Sequence, residues 1–447
     1  RSRWRRVPSS TTEPEPVMSD EIDCGCQEYN ELSRRRFVVG SAGATLMASI
    51  MPAWLPKVVL AESANSSRDI IVNIFLRGGA DSLSLVAPFA DTNYYLSRPT
   101  LAIPRPDSNA VTKGTALDNT FMFPKGMNGM LPAYQSGQLL VVHGAGLSYN
   151  SRSHFDAQHF IEVGKAADNT VSTGWLGRHL AASSPTNATA VLRALAISSG
   201  LPQTLAGAPK TLPISDPTNF AIGGSATTSV ERSAWLAQDY YLADDPVRSS
   251  ALDITNTLNL LKAINFAAYT PSNGAVYPNS SFGRSLRSAA ALIKANVGVE
   301  AIQTDIGGWD THTLEDPAAG SLFRTMSDLS NSIGAFWADV MQGNGNFNVT
   351  LTAMSEFGRN VRENGNAGTD HGRGGAMFVM GKNISGGRVL TKNWQPLARE
   401  NLQDGQDVKV TIDHRDILAE IVQNRLGNPN LDLIFPSYTP VMMGITK

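Results

Sequence analysis

Three short segments of this chain set a cationic or imidazole side chain close to a carboxylate, with little other side-chain bulk around them. They are Asp310 and His312 in "GGWDTH", Glu356 and Arg359 in "SEFGR", and Asp370 and His371 in "GTDHGRGG". Imidazole nitrogens and carboxylate oxygens ligate divalent metals such as zinc, manganese and, through oxygen, calcium. In an extended backbone residues two apart point the same way, so Asp310 and His312 can face one ion. The glycines of "GTDHGRGG" permit positive φ and close approach to a ligand. Asp81, in "RGGAD", is a further carboxylate of this kind. Each residue also has a plainer use. An aspartate beside glycine often bonds its own backbone in a turn, His312 alone can be a hydrogen-bonded core histidine, Glu356 and Arg359 can form a local ion pair, and "GTDHGRGG" can be a tight turn. Their shared placement favours a joint role: each set follows an apolar run or a glycine turn, and independent turns have no reason to gather histidines and carboxylates on one edge.

Ser153, in "SRSHFDAQHF", is the candidate nucleophile. It stands just before a helical run with Asp156 three residues on, so it can be an N-cap. The same position suits catalysis, because a helix N-terminus offers free N–H groups to a phosphate or sulfate and favours an alkoxide. Arg152 and His154 flank it, available for anion binding or proton transfer. Arg359 and Arg373 are candidates to stabilise developing negative charge. The chain has no G-x-S-x-G elbow, no G-x-x-x-x-G-K-[ST] loop and no G-x-G-x-x-G fingerprint, which argues against an α/β-hydrolase, a P-loop NTPase and a dinucleotide enzyme. His143, His159 and His179 lie in or beside apolar patterns and read as structural, and Asp413 or Asp416 beside His414 reads as a helix cap.

The elements that must position these residues alternate. Apolar runs of strand length occur at 70–76, 138–146, 347–359 and 375–381, and helical patterns at 154–164, 173–183, 229–243, 250–268, 283–296, 321–343 and 416–427. This pattern predicts an α/β fold, a mostly parallel central sheet with helices on both faces, in which ligands bind at the carboxyl ends of the strands.

The chain of 447 residues is 42% hydrophobic and 17% charged, so it can bury a large core. A net charge of −2 gives no basic field for nucleic acid, which is excluded as an expected partner. Residues 1–17 are expected to be a lead outside the fold, residues 18–61 a signal region, and 62–447 one domain. Within the signal region Ser33-Arg34-Arg35-Arg36-Phe37 precedes an apolar stretch broken by Gly40, Gly43 and Pro52. It resembles a twin-arginine export signal, implying the twin-arginine translocase as a partner and a periplasmic or secreted destination. So short and interrupted a stretch predicts no stable membrane anchor. Both cysteines, Cys24 and Cys26, precede the arginines, so the mature chain would hold any metal through His, Asp, Glu or Ser.

Taken in order, "FLRGGADSLSLVAP", "RPTLAIP", "SRSHFDAQ", "STGWLGRHL", "GGWDTH", "SEFGRNVRENGNAGTDHGRGG" and "DHRDILAEI", with the export signal, resemble the exported bacterial proteins grouped as domain of unknown function 1501, placed in the alkaline-phosphatase-like superfamily. The resemblance implies hydrolysis of phosphate or sulfate esters with one or two metals, commonly zinc, manganese or calcium. It implies Asp81, Asp310, His312, Glu356 and His371 as metal ligands, with Asp370 beside them, and Ser153 as the nucleophile. Ser355-Glu356 stands where the superfamily often has Asp-His, and Arg373 where many relatives have a second histidine. The alternative is a non-catalytic exported binding or assembly protein that keeps the fold.

Overall fold

The apolar runs that border the candidate residues form the middle of one nine-stranded sheet in the computed structural model, which describes residues 68–447 apart from 222–223, 242–243, 245–246 and 344–346. The expected lead, the signal region and both cysteines lie outside the described residues. The strands are β1 (Ile70–Leu76), β2 (Leu139–Gly146), β3 (Ala194–Ile197), β4 (Thr211–Pro213), β5 (Ala301–Ile306), β6 (Val349–Ser355), β7 (Gly375–Gly381), β8 (Arg388–Leu390) and β9 (Ile412–Asp413). Their spatial order is β8-β2-β7-β6-β1-β5-β3-β4, with β9 also on β2. Every pairing is parallel except those of β7, which runs antiparallel to both β2 and β6.

That single reversal matters for the site. β1, β2, β5 and β6 all end at one edge of the sheet, and β7 begins there. The loop before β7, carrying Asp370 and His371, therefore meets the loops that follow the parallel strands.

Alternation along β1 divides the core into two layers, as a sheet buried on both faces requires. Val72, Ile74 and Leu76 pack with Leu286, Leu322 and Leu329. Ile71 and Phe75 pack with Phe160, Leu176 and Ile417. The α-helices of seven residues or more among the described residues are α1 (His154–Val163), α2 (Trp175–Ala181), α3 (Ser229–Tyr241), α4 (Val247–Ala263), α5 (Ser281–Lys294), α6 (Ser321–Phe336) and α7 (His414–Asn424). Thus α5 and α6 cover one face, while α1, α2 and α7 cover the other. Among the described residues no helix is long and apolar enough to cross a membrane.

A row of polar side chains crosses the sheet and is satisfied within itself. Thr352 on β6 donates to Asn73 on β1 (2.7 Å), Asn73 donates to Gln303 on β5 (2.6 Å), and Gln303 donates to Asp305 (3.2 Å). Asp305 then accepts from Arg77, the residue after β1, at 3.0 Å. Buried polar groups are tolerated in a core when each finds a partner, and this row ends at the edge that carries the candidate residues.

Asp81 departs from its expected place among the metal ligands. It turns into the protein and forms a two-pronged pair with Arg98, both side chains fully buried. Glu315, also buried, lies beside them and accepts from Thr369 (2.7 Å) and Ser84 (3.2 Å). One guanidinium cannot offset two buried carboxylates. Burial opposes ionisation of Asp81, but the adjacent Arg98 outweighs it and holds the Asp81 pKa low. Burial and then the Asp81 charge push Glu315 up to about 8, so it keeps its proton at neutral pH.

Two outcomes follow for stability. Arg98→Leu would strand Asp81 as a buried unpaired charge and should cost about 3–5 kcal/mol in urea unfolding; a loss below about 1 kcal/mol would contradict the pairing. The folded pKa of Glu315 exceeds its unfolded value, so between the two the folded state binds the extra proton and stability falls as pH rises from about 5 to about 8. Glu315→Gln should flatten that fall, and unchanged pH slopes in parent and variant would contradict the assignment.

Candidate functional site

Five segments meet at the carboxyl edge: the Gly78-Gly79 turn after β1, the start of α1, the turn after β5, the residues after β6 and the loop before β7. Arg359 ties most of them together. Its guanidinium is fully buried and donates to the carbonyls of Gly79 (2.6 Å), Gly78 (2.6 Å), Thr369 (2.9 Å) and Trp309 (3.1 Å), and to Asp310 Oδ1 (2.6 Å). Gly78 and Gly79 have φ of 123° and 65°, and a Cβ on Gly78 would stand 2.8 Å from the Asp310 nitrogen. Glycine is needed there both for the turn and for the contact. In "GTDHGRGG" the reason is different from the expected ligand approach. A Cβ on Gly368 would lie 2.3 Å from the His312 carbonyl carbon, and one on Gly372 would lie 2.4 Å from that of Arg359. The glycines let backbones touch each other, and neither residue has positive φ.

Three histidines converge on Asp310, and each has its Nδ1 committed. His154, the first residue of α1, donates Nδ1–H to Glu356 Oε1 at 2.7 Å. His371 donates to the Arg152 carbonyl at 2.9 Å, and His312 donates to Asp370 Oδ1 at 3.1 Å. A carboxylate and a carbonyl only accept, so Nδ1 carries the proton in each of these bonds, and a ring that is neutral then keeps its lone pair on Nε2. The Nε2 atoms point inward: His154 Nε2 is 3.5 Å from Asp310 Oδ2, and His312 and His371 Nε2 are 3.1 and 3.2 Å from Asp310 Oδ1. His312 Nε2 and His371 Nε2 are 3.1 Å apart, and His154 Nε2 is buried without a hydrogen-bond partner.

Two lone pairs facing each other across such a gap repel unless a proton or a cation lies between them. Ligands bound tetrahedrally to zinc at about 2.0–2.1 Å stand roughly 3.3 Å from one another, close to the observed spacings. The ligand atoms of His154, Asp310 and His371 all lie within 4.8 Å of one another, and His312 adjoins them at Asp310 and His371. The residues present therefore fit a divalent ion held by imidazole nitrogen and carboxylate oxygen. Asp310 is 48% exposed and His312 43%, so such an ion would be open to solvent, as catalytic sites are and closed structural sites are not.

The charges around the ring are graded. Burial opposes ionisation of Asp310, but the hydrogen bond and charge of Arg359 prevail and lower its pKa to about 2. Glu356 is fully buried, yet bonds from His154, Gln158 and Ser355 keep it below the usual carboxylate range. Its hydrogen bond in turn raises His154, whereas burial lowers His371. Gln158 links the cluster to the polar row in the sheet, donating to Glu356 at 2.9 Å and accepting from Arg77 at 3.1 Å.

Asp310, His312, Glu356, Asp370 and His371 are thus brought together in one place. Glu356 and Asp370 act in it as acceptors that orient His154 and His312. Asp81 is committed to Arg98 instead. Arg359, expected to face a substrate, is spent on Asp310 and four carbonyls. Arg373 lies at the rim and donates to the Ser148 carbonyl at 3.3 Å. Ser153 is the exposed N-cap of α1, its Oγ accepting from Asp156 N at 3.4 Å. The contribution of His154 to the ring was missed, as was that of Gln158. Their spacing was the available signal, since residues four apart share a helix face and both reach Glu356.

The chain belongs to the family described as "Protein of unknown function (DUF1501)", whose profile matches residues 68–427. No curated protein matches the chain.

If Glu356 orients and charges His154, the imidazole in metal-free protein should titrate above its ordinary value of about 6.5, read by NMR. Glu356→Gln should bring that midpoint down and weaken divalent-ion binding at pH 8 by about 10-fold or more. A midpoint that does not move would show that the contact is not a charge-assisted bond.

Proposed function

We propose that the protein is an exported metal-dependent hydrolase of phosphate or sulfate esters, with the alkaline-phosphatase-like architecture that its family resemblance implies. The observation that carries the reading is the convergence of three Nδ1-committed histidines, through Nε2, on the exposed carboxylate of Asp310. His154, Asp310 and His371 would hold the ion, zinc, manganese or calcium, with His312 beside them. When bound, it would supply positive charge to stabilise a developing oxyanion and to lower the pKa of an attacking oxygen.

The remaining roles fall to the chain itself. Arg359 fixes the direction of Asp310 and holds it ionised. Glu356 and Asp370 keep the lone pairs of His154 and His312 turned inward. Arg373, half-buried, and Arg152, exposed although it pairs with the buried Asp407, favour an anionic substrate. Ser153 would attack: its Oγ bonds to phosphorus or sulfur as the ester oxygen leaves as an alcohol, and water then cleaves the serine ester to release the inorganic anion. The N–H groups at the start of α1 lie next to this oxygen and suit the transferred group. Export would use the twin-arginine translocase through residues 33–37.

One observation favours a second reading, a non-catalytic binding protein that retains the ion: Ser153 Oγ already serves as the cap of α1.

The full chain, purified without chelator, should carry a stoichiometric divalent metal by elemental analysis, and an Asp310→Ala, His371→Ala double variant should carry none. Screening aryl phosphates and sulfates should reveal turnover that Ser153→Ala lowers by at least about 10³-fold, while unfolding shifts by no more than the about 1 kcal/mol expected for loss of a helix cap. Metal binding without turnover would support the binding protein, and a metal-free parent would sink both readings.

A further inference from the structure

The three imidazoles of the ring are not held equally. Glu356 and Asp370, both carboxylates, accept from Nδ1 of His154 and His312, whereas Nδ1 of His371 meets a neutral carbonyl, that of Arg152. On its other side His371 Nε2 stands 3.2 Å from Asp310 Oδ1, an ionised carboxylate that attracts the ring proton more strongly than a carbonyl does. Moved to Nε2, the proton would take the place of an ion. The Arg152 carbonyl wins that competition only if it is kept in position. Yet it lies in residues 147–153, a connection between β2 and α1 that contains no helix or strand.

Asp407 supports His371 from two directions. Its side chain is fully buried. Oδ2 accepts from the Arg152 guanidinium at 2.5 Å, tying down the residue whose carbonyl faces His371. The Asn360 side-chain amide lies between Asp407 Oδ1 and the His371 carbonyl, which both only accept, so its nitrogen faces them and donates to each, at 2.5 and 3.1 Å. Asp407 is itself fixed. It exchanges two backbone hydrogen bonds with Gln403, and the carbonyls of Gln406 and Val408 on either side accept from Val361 and Gly374. Burial pushes the Asp407 carboxyl up and the Arg152 charge opposes that, as a carboxylate kept in such a place requires. Resting on the reading of the ring as a metal site, we propose that Asp407 is a positioning residue for it: through Arg152 it holds the carbonyl that takes the His371 proton, and through Asn360 it holds the His371 backbone, so that Nε2 is left to the ion. His154 and His312 have carboxylates of their own and do not depend on it.

Imidazole nitrogen NMR on the metal-free full chain at about pH 9, above the ordinary imidazole range, distinguishes the two proton positions in each ring. In the unmodified protein His371 should carry its proton on Nδ1. Asp407→Asn keeps the shape but offers one acceptor where two are needed, so either Arg152 or Asn360 faces an NH2 group. The His371 tautomer ratio should then shift toward Nε2–H by about 10-fold. Arg152 is exposed, so Arg152→Gln should give the same shift even if the buried substitution unfolds the chain. His154 and His312 should keep their protons on Nδ1 in both variants, which a general loosening of the sheet edge would not allow. Zinc, titrated calorimetrically, should bind the variants about 10-fold or more weakly than the parent. Nε2–H on His371 in the unmodified protein, a ratio that neither variant moves, a shift shared by all three rings, or variants that bind zinc as tightly as the parent would each overturn the proposal. The spectra require neither metal nor turnover, so they decide the role of Asp407 even if the ring holds no ion or the protein cleaves no ester.

Discussion

The carboxyl edge of this sheet is organised around one buried cation. Arg359 is a cation with no access to water, so every donor it leaves unpaired would be costly. It meets that demand by drawing in the carbonyls of Gly78, Gly79, Trp309 and Thr369 and the carboxylate of Asp310. Three loops, after β1, after β5 and before β7, are thereby held at fixed separations by a planar group with a rigid set of donor directions. The glycines at 78, 368 and 372 are the consequence, since there the backbones come closer than a Cβ allows, while a Cβ on Gly79 would run into the Phe357 ring.

A second layer of constraint acts on the imidazoles. Each is given an acceptor at Nδ1, and the three acceptors come from different parts of the chain: Glu356 after β6, Asp370 before β7 and the Arg152 carbonyl before α1. The result is a ring of lone pairs around an ionised carboxylate, which is a poor arrangement for an empty protein and a good one for a cation. Asp81 and Glu315 show the opposite solution nearby. There two carboxylates are buried with one arginine, one of them keeps its proton, and the group holds loops together without offering free ligands.

Much of this was legible in the sequence, for identifiable reasons. The α/β alternation and the two-faced burial of the sheet follow from unbroken apolar runs such as 70–76 separated by amphipathic helices. Glu356 and His371 could be singled out because they border those runs, and Asp310 and His312 because they follow the Gly307-Gly308 turn, and the sheet edge does gather them. Other features were not legible because they depend on contacts across long separations. Whether Asp81 faces an ion or a cation is decided by Arg98, and nothing local marks Arg98 as its partner. Arg359 looks like a substrate ligand until its burial is known. His154 stands beside a cap residue, and only the position of Glu356, 202 residues away, shows which way its ring points. The reversed sense of β7 is equally silent in its composition, because a strand buried on both faces looks the same in either direction.

The claim on which the functional reading turns is that the histidine ring is a metal site, and anomalous diffraction from crystals grown with zinc tests it most directly. The expected result is a peak at the zinc edge, about 2.0–2.2 Å from Nε2 of His154, Nε2 of His371 and a carboxylate oxygen of Asp310. No peak among these residues, with His312 and His371 sharing a proton across their Nε2 atoms, would contradict it.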